Sequence, residues 1–230
     1  MVESKLLVKE KDLVVPGEEL AQGMDFLPSQ GTYRNGDKIL ANIVGIVRLE
    51  GKVIKLIPMS GVYLPKRGDV IIGKVKDVNF SGWSVDTNSA YTAMLSMKDG
   101  SNDFIPKGAD LTKYFNIGDY IATKITNVTS QNLIDLTMKG PGLRKLKGGR
   151  IVSVNPHKVP RIIGKAGSMV SMLKNVTNCN IIVGQNGVIF VKGEPKDEII
   201  AVKSIKKIEE ESHVSGLTDR MKEFIESIKK

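Results

Sequence analysis

The stretch Arg161-Ile162-Ile163-Gly164-Lys165-Ala166-Gly167 has residue types and spacing that suit a definite chemistry. Two glycines three residues apart leave backbone N–H groups unobstructed, and Lys165 puts a cation between them. A phosphodiester can lie directly against main chain at such a turn. This is anion binding, not bond making. Met169, Val170, Met172, Leu173 and Val176 follow at helical spacing, so the turn opens a helix. Groups for covalent or metal chemistry are not assembled in the sequence. The single Cys179 excludes internal disulfides and cysteine-based zinc sites. His157 and His213 are isolated, with no second His or Cys nearby to complete a ligand set. Asp99, Asp103 and Asp110 lie among turn residues and lysines, which reads as a solvated loop and not as a two-metal nuclease site. A nucleotide-binding P-loop is excluded as well: Val159 stands where its first glycine belongs, and Ala166 follows Lys165.

The elements around Gly164 and Gly167 must position them. Upstream, Gly149 to Val154 reads as a strand. Lys158 to Ile163 reads as a short helix with Pro160 in its first turn, where proline is tolerated. Downstream, Asn180 to Val183 and Val188 to Lys192 are short apolar runs joined by Gly184-Gln185-Asn186-Gly187, which is hairpin chemistry. A helix from about Lys196 to Glu211 follows. After a break at Val214-Ser215-Gly216, Leu217, Met221, Phe224, Ile225 and Ile228 mark one face of a last amphipathic helix, expected to pack on its own domain. The order strand, helix, Gly-x-x-Gly, helix, strand, strand, helix resembles a eukaryotic-type KH domain (β-α-α-β-β-α), whose loop clamps about four nucleotides. The resemblance implies RNA contacts at Arg161, Ile163, Gly164, Lys165, Ala166 and Gly167.

Charge supports the same partner. The chain of 230 residues has a net charge of +9. From Leu136 to Gly193 there is no Asp or Glu, while ten Lys and Arg fall there, leaving 24 basic and 25 acidic residues elsewhere. A segregated basic block points to a polyanion. Arg144, Lys145, Lys147, Arg150 and Lys158 are the candidate phosphate contacts within it, beside the loop. Gly140-Pro141-Gly142 and Gly148-Gly149 bracket Leu143 to Lys147, which reads as a short connection between domains. No run of about 18 apolar residues marks a membrane span. The charged N-terminus lacks a signal-peptide core, so a cytoplasmic location is expected.

Three domains are expected: 1–60, 61–147 and 148–230. The first has balanced charge, with eight basic and eight acidic residues. Leu13-Val14-Val15 ends in a Pro-Gly turn and Gly31 to Asp37 is turn-rich. Ile39 to Ile46 reads as one strand, and Glu50-Gly51 turns a hairpin into Lys52 to Ile57. This is a small antiparallel β-domain that would gain from docking on a partner. In the second, Gly68 to Val78, Phe80 to Val85, Tyr91 to Met97, Tyr120 to Val128 and Asn132 to Met138 supply five strands. Their order resembles an OB β-barrel of the ribosomal S-one type, which binds single-stranded RNA by stacking and basic groups. Phe80, Trp83 and Tyr91 are candidates to stack, although Trp83 could equally be core. Lys98, Lys107 and Lys113 are candidates for backbone contacts. Ser84 and Ser96 stand where that family often has an aromatic residue and a histidine.

Taken in order, Val14 to Glu18, Gly31-Thr32-Tyr33, Gly68 to Val75, Trp83 to Asp86, Arg161 to Lys165, Val183 to Gly187 and Gly216 to Arg220 resemble the archaeal exosome cap subunits with S-one and KH domains, the ribosomal RNA processing protein four family. The resemblance spans essentially the whole chain. It implies a non-catalytic subunit without a cofactor. Three copies would cap a hexameric ring of RNase PH-like subunits, bind single-stranded RNA and feed it to 3′-to-5′ phosphorolysis. Two other classes remain open. A transcription or translation factor could join the same modules, although the elongation factor that does so carries two KH units. Polynucleotide phosphorylase has both modules, but in the opposite order and behind catalytic domains too large for this chain.

Overall fold

The computed structural model describes residues 4–59, 61–101, 103–106, 108–212 and 216–229, without the side chains of 226, 228 and 229. The chain divides into two units, Met1–Gly61 and Val62–Lys230.

The first unit holds eight strands: β1 (Lys5–Leu6), β2 (Leu13–Val14), β3 (Glu19–Gln22), β4 (Leu27–Pro28), β5 (Thr32–Asn35), β6 (Lys38–Ala41), β7 (Gly45–Glu50) and β8 (Val53–Pro58). They form two four-stranded sheets, β1-β3-β6-β5 and β2-β7-β8-β4. Leu20, Ile39, Val47, Ile54 and Leu56 fill the core between them. Two expectations are corrected here. The run Ile39 to Ile46 is not one strand: it splits into β6 and β7, which belong to different sheets. The turn-rich Gly31 to Asp37 contains β5, paired with β6 from Thr32↔Ala41 to Asn35↔Lys38. Local composition could not show that pairing, because the strand's hydrogen bonds are made to a partner and not within the run.

The second unit starts with β9 (Val70–Asn79), β10 (Gly82–Asp86), β11 (Thr92–Ser96), β12 (Tyr120–Val128) and β13 (Ile134–Thr137). Their order β13-β11-β10-β9-β12, together with the β12–β13 pairing, closes a five-stranded barrel. Ile71, Trp83, Val85, Leu95, Ile121, Ile125, Ile134 and Leu136 fill it. Leu143 to Lys147 is more than a connection. Its middle forms β14 (Arg144–Leu146), which pairs with β12 at the barrel's edge.

The chain then enters β15 (Arg150–Ser153), α1 (Val159–Ile163), α2 (Ser168–Thr177), β16 (Asn180–Val183), β17 (Val188–Lys192) and α3 (Pro195–Glu210). The sheet order is β15-β17-β16, all antiparallel. One face of this sheet packs on the helices, with Val152, Ile181, Ile189 and Val191 against Ile162, Leu173, Ala201 and Ile205. A last helix, α4 (Leu217–Lys229), adds Leu217, Met221 and Ile225 to that core.

The opposite face of the sheet lies on the barrel. Val188, Phe190, Ile151 and Ile182 meet Ile72, Ala122, Leu146 and Tyr120. The period of two along a strand explains the division: Ile181 and Ile182 point to opposite faces and serve opposite cores. The β16–β17 turn is also spent on this contact. Asn186 is 0% exposed. Its side-chain amide donates to the Ile72 carbonyl at 2.8 Å and the Thr87 carbonyl at 2.9 Å. The Gln185 amide donates to the Val70 carbonyl at 2.9 Å. A Cβ on Gly184 would stand 2.8 Å from the Ile72 nitrogen, so only glycine lets the turn sit so close.

Candidate nucleic-acid interface

The loop after α1 is a tight turn in which the Gly164 amide donates to the Pro160 carbonyl at 2.9 Å and the Gly167 amide to the Gly164 carbonyl at 3.2 Å. Gly164 ends α1 with φ +76°, and a Cβ there would stand 2.7 Å from the Met169 nitrogen. Ala166 (φ 51°) and Gly167 (φ 79°) are both left-handed. Gly167 has open space where a Cβ would be, so its glycine answers the backbone angle and not crowding. Lys165 and Ala166 are exposed between the glycines, and Arg161 is exposed on the last turn of α1. Ile163 is half-buried and packs against the helical core, so it seats the loop more than it offers surface.

The basic block is less uniform in space than along the chain. The Lys145 ammonium bonds to the Asp119 carboxylate. Burial pushes Asp119 up, but the Lys145 hydrogen bond, the Asn116 amide and the charges of Lys145 and Lys147 outweigh it and hold the carboxyl below its ordinary value. Arg150 Nε donates to Glu198 at 2.9 Å, and Glu198 also accepts from the Gly193 amide at 3.2 Å. Lys158 Nζ donates to the Glu209 carbonyl at 2.9 Å. These three cations therefore have partners within the fold. Arg144, Lys147, Arg161 and Lys165 are exposed, with no side-chain hydrogen bond or ion pair to the described residues. Partial burial and the nearby Lys66 lower the His157 pKa, which disfavours its charged form.

On the barrel, Trp83 requires a correction. Its ring is 0% exposed. Its Nε1 donates to the Phe115 carbonyl at 3.0 Å, and the two rings meet edge-on at 5.0 Å. A ring so enclosed cannot stack on a base. The physical reason is strand alternation: Trp83 and Val85 face inward, which turns Ser84 and Asp86 outward. Phe80 is 96% exposed in the β9–β10 turn, and Tyr91 is 37% exposed just before β11. They lie at opposite ends of the β10–β11 hairpin, since Gly82 pairs with Ser96 and Asp86 with Thr92. They do not form one platform. The outward residues between them, Ser84, Thr92, Met94 and Ser96, are not aromatic. Lys98 is exposed in a turn, Lys113 is exposed at the end of the short 3-10 helix Leu111–Lys113, and Lys107 lies outside the described residues. Sequence reading missed Phe104, an aromatic that stands largely in solvent. Its placement between Asp103 and the Ile105-Pro106 turn was the available signal.

Among the described residues no group of His, Cys, Asp or Glu could hold a metal ion. No helix there is long and apolar enough to cross a membrane.

Comparison with known proteins decides the family. Residues 11–60 match the exosome RNA binding protein RRP4 N-terminal domain, 62–104 the S1 domain of RRP4, and 149–197 a KH domain. The exosome complex component Rrp4 of Methanothermus fervidus is 48% identical over 96% of this chain and 97% of its own. The chain belongs to the Rrp4 family. The Rrp4 of Thermococcus kodakarensis is 45% identical over 96% of this chain and 87% of its own. A solved structure named for an exosome complex RNA-binding protein superposes with a TM-score of 0.67 at 40% identity, covering 74% of this chain and 98% of that one. Rrp4 family membership agrees with the S-one barrel, the KH domain and the C-terminal helix described above. The five-stranded closed barrel and the β-α-α-β-β-α order are as the sequence led one to expect.

Proposed function

We propose that this chain is the non-catalytic RNA-binding cap subunit of an exosome, taking single-stranded RNA and presenting it to a phosphorolytic ring. The carrying observation is the Gly-x-x-Gly loop with exposed Lys165 and Arg161, in a chain 48% identical to an Rrp4 protein over 96% of its length. Exposed cations on a glycine turn suit phosphate contact, and that contact reads backbone more than sequence. Gly164, Lys165, Ala166 and Gly167 hold the phosphodiester and Arg161 supplies charge beside them, while Arg144 and Lys147, on and after β14, carry charge away from the loop. Lys158, Lys145 and Arg150 mainly shape the surface, because each has a partner in the fold. Phe80 offers the most accessible ring on the barrel, with Tyr91, Lys98 and Lys113 as secondary contacts. Residues 1–60 dock on a hexameric ring of RNase PH-like subunits in three copies, in the cytoplasm. Charge balance and exposed apolar residues such as Leu13, Val15 and Leu27 suit that first unit to protein contact.

The test adds the full chain, or a version lacking residues 1–60, to a purified ring with phosphate and an RNA tail. Shortening is expected only with the ring present. The full chain should accelerate it most for RNA that binds the ring poorly, through raised effective concentration at the entrance. RNA shortened by the chain alone refutes the non-catalytic assignment. Equal stimulation by the truncated version refutes the docking role.

A further inference from the structure

A cleft of about 840 Å³ opens where β14 faces the end of the KH sheet. One wall carries Arg144 and Lys147. The other carries Asn178, at the C-terminus of α2, with Asn180 on β16 and Lys192 on β17, which pair with each other. The Lys192 ammonium lies 3.7 Å from where a Cβ on Gly148 would stand, so its charge leans over the chain leaving β14. Arg144, Lys147 and Lys192 have no side-chain hydrogen bond or ion pair to described residues, whereas Lys145 in the same wall is bound to Asp119. The cleft therefore holds three cations free of hydrogen bonds and ion pairs to described residues, and Phe190 also lines it.

The rest of the lining narrows the ligand. Glu194 and Asp197, at the start of α3, also border the cleft. A simple anion such as phosphate would meet cations on one side and carboxylates on the other. A ribonucleotide satisfies both: its phosphate suits Arg144, Lys147 and Lys192. Its 2′-hydroxyl or exocyclic amines can donate to Asp197, Glu194 or the side-chain amides. The cleft is also separate from the Gly-x-x-Gly loop. That loop opens α2, and Asn178 follows its other end. Ten helical residues place the two about 15 Å apart.

We propose that this cleft is a second RNA site, holding a nucleotide of the same strand beyond those on the Gly-x-x-Gly loop. This rests on the RNA-binding reading of that loop. The barrel–KH contact through Asn186 fixes the spacing of the two sites, so a strand must be long enough to reach both.

The experiment measures binding of the full chain to a tetranucleotide RNA, about what one KH loop holds, and to a strand about three times longer. The test variant is Arg144→Glu with Lys192→Glu; both side chains are exposed, and thermal melting verifies the fold. Affinity for the long strand should fall about tenfold. Its log–log salt slope should flatten by about 1.4 for two lost phosphate contacts, and tetranucleotide affinity should be unchanged. If melting shows a damaged fold, Lys147→Glu replaces the pair, with a smaller loss expected for the long strand alone. Lys165→Asp with Ala166→Asp should weaken both RNAs. An unaltered long-strand affinity in the cleft variant, with weakening in the loop variant, overturns the cleft and leaves the loop standing. If neither variant weakens binding, the RNA reading itself fails. Crosslinking with 4-thiouridine gives a second readout. Adducts on peptides containing Arg144 or Lys192 support the site, and adducts confined to the loop peptide overturn it.

Discussion

Asn186 and Ile72, 114 residues apart, are joined in both directions: the Ile72 amide donates to the Asn186 side-chain oxygen at 3.3 Å, and the Asn186 side-chain nitrogen donates to the Ile72 carbonyl at 2.8 Å. A side chain here imitates the pairing of a strand. The same nitrogen reaches the Thr87 carbonyl, and Asn88 Nδ2 donates to the Asn186 carbonyl at 3.0 Å. The turn that closes the KH hairpin is thereby built into the barrel.

Asn186→Ala should accordingly be costly. It leaves the Ile72 and Thr87 carbonyls buried without these donors, at about 1–3 kcal/mol each. Urea unfolding should show a lowered midpoint, and hydrogen exchange at the Ile72 amide should accelerate. A midpoint equal to wild type contradicts the assignment of the turn as a lock.

Trp83→Phe separates a core ring from a stacking ring. It removes the hydrogen bond to the Phe115 carbonyl and some packing, for a loss of about 1–3 kcal/mol. RNA affinity should not change under conditions where the variant is folded. A selective loss of RNA binding with unaltered melting would restore Trp83 to the interface. Phe80→Ala should do the reverse, leaving stability nearly unaltered and weakening RNA binding.

Lys165→Asp with Ala166→Asp should reduce RNA affinity at least tenfold and leave the fold intact. Both side chains are exposed, and aspartate tolerates the left-handed backbone at position 166. Circular dichroism and an RNA shift assay on one sample check it. Intact structure with unaltered affinity reduces the loop to a structural turn.

RNA binding by the wild-type chain should weaken with salt, log affinity falling linearly with log salt by about 0.7 per contacted phosphate. A titration at several salt concentrations measures the slope, and a flat response removes the electrostatic basis of binding.

Acid should loosen two contacts of the second unit. Burial raises Glu209, but hydrogen bonds from Lys206 and the Asn155 amide, with the charges of Lys206 and Lys158, hold it below its ordinary value; Asp119 is held low in the same way. A depressed carboxylate contributes stability that is complete above its unfolded value near about 4 and is lost as pH falls through the lower folded value. Melting temperature should thus drop below about pH 4, and the drop should be shallower in Asp119→Asn or Glu209→Gln. Identical acid profiles for both variants and the wild type would remove these pairs as the cause.

Much of the architecture was legible along the chain. Asn180 to Val183 and Val188 to Lys192 emerged as β16 and β17 with the boundaries expected, because glycine-rich turns and apolar runs act locally. The Gly-x-x-Gly loop was legible for the same reason: backbone conformation at Gly164 and Gly167 depends on the residues themselves. The absence of acids from 136 to 193 also pointed to a polyanion.

Tertiary structure decided which of those cations are free. Asp119, Glu198 and Glu209 come from outside the acid-free stretch, and folding brings them to Lys145, Arg150 and Lys158, while Arg144, Lys147 and Lys192 are left without such partners. It also decided that Trp83 points inward and that Asn186 is a lock. These outcomes depend on which strand lies beside which and on which face of the pleat is covered. Charge and hydrophobicity act through space, so residues far apart in sequence settle them, and no reading of nearest neighbours along the chain contains that information.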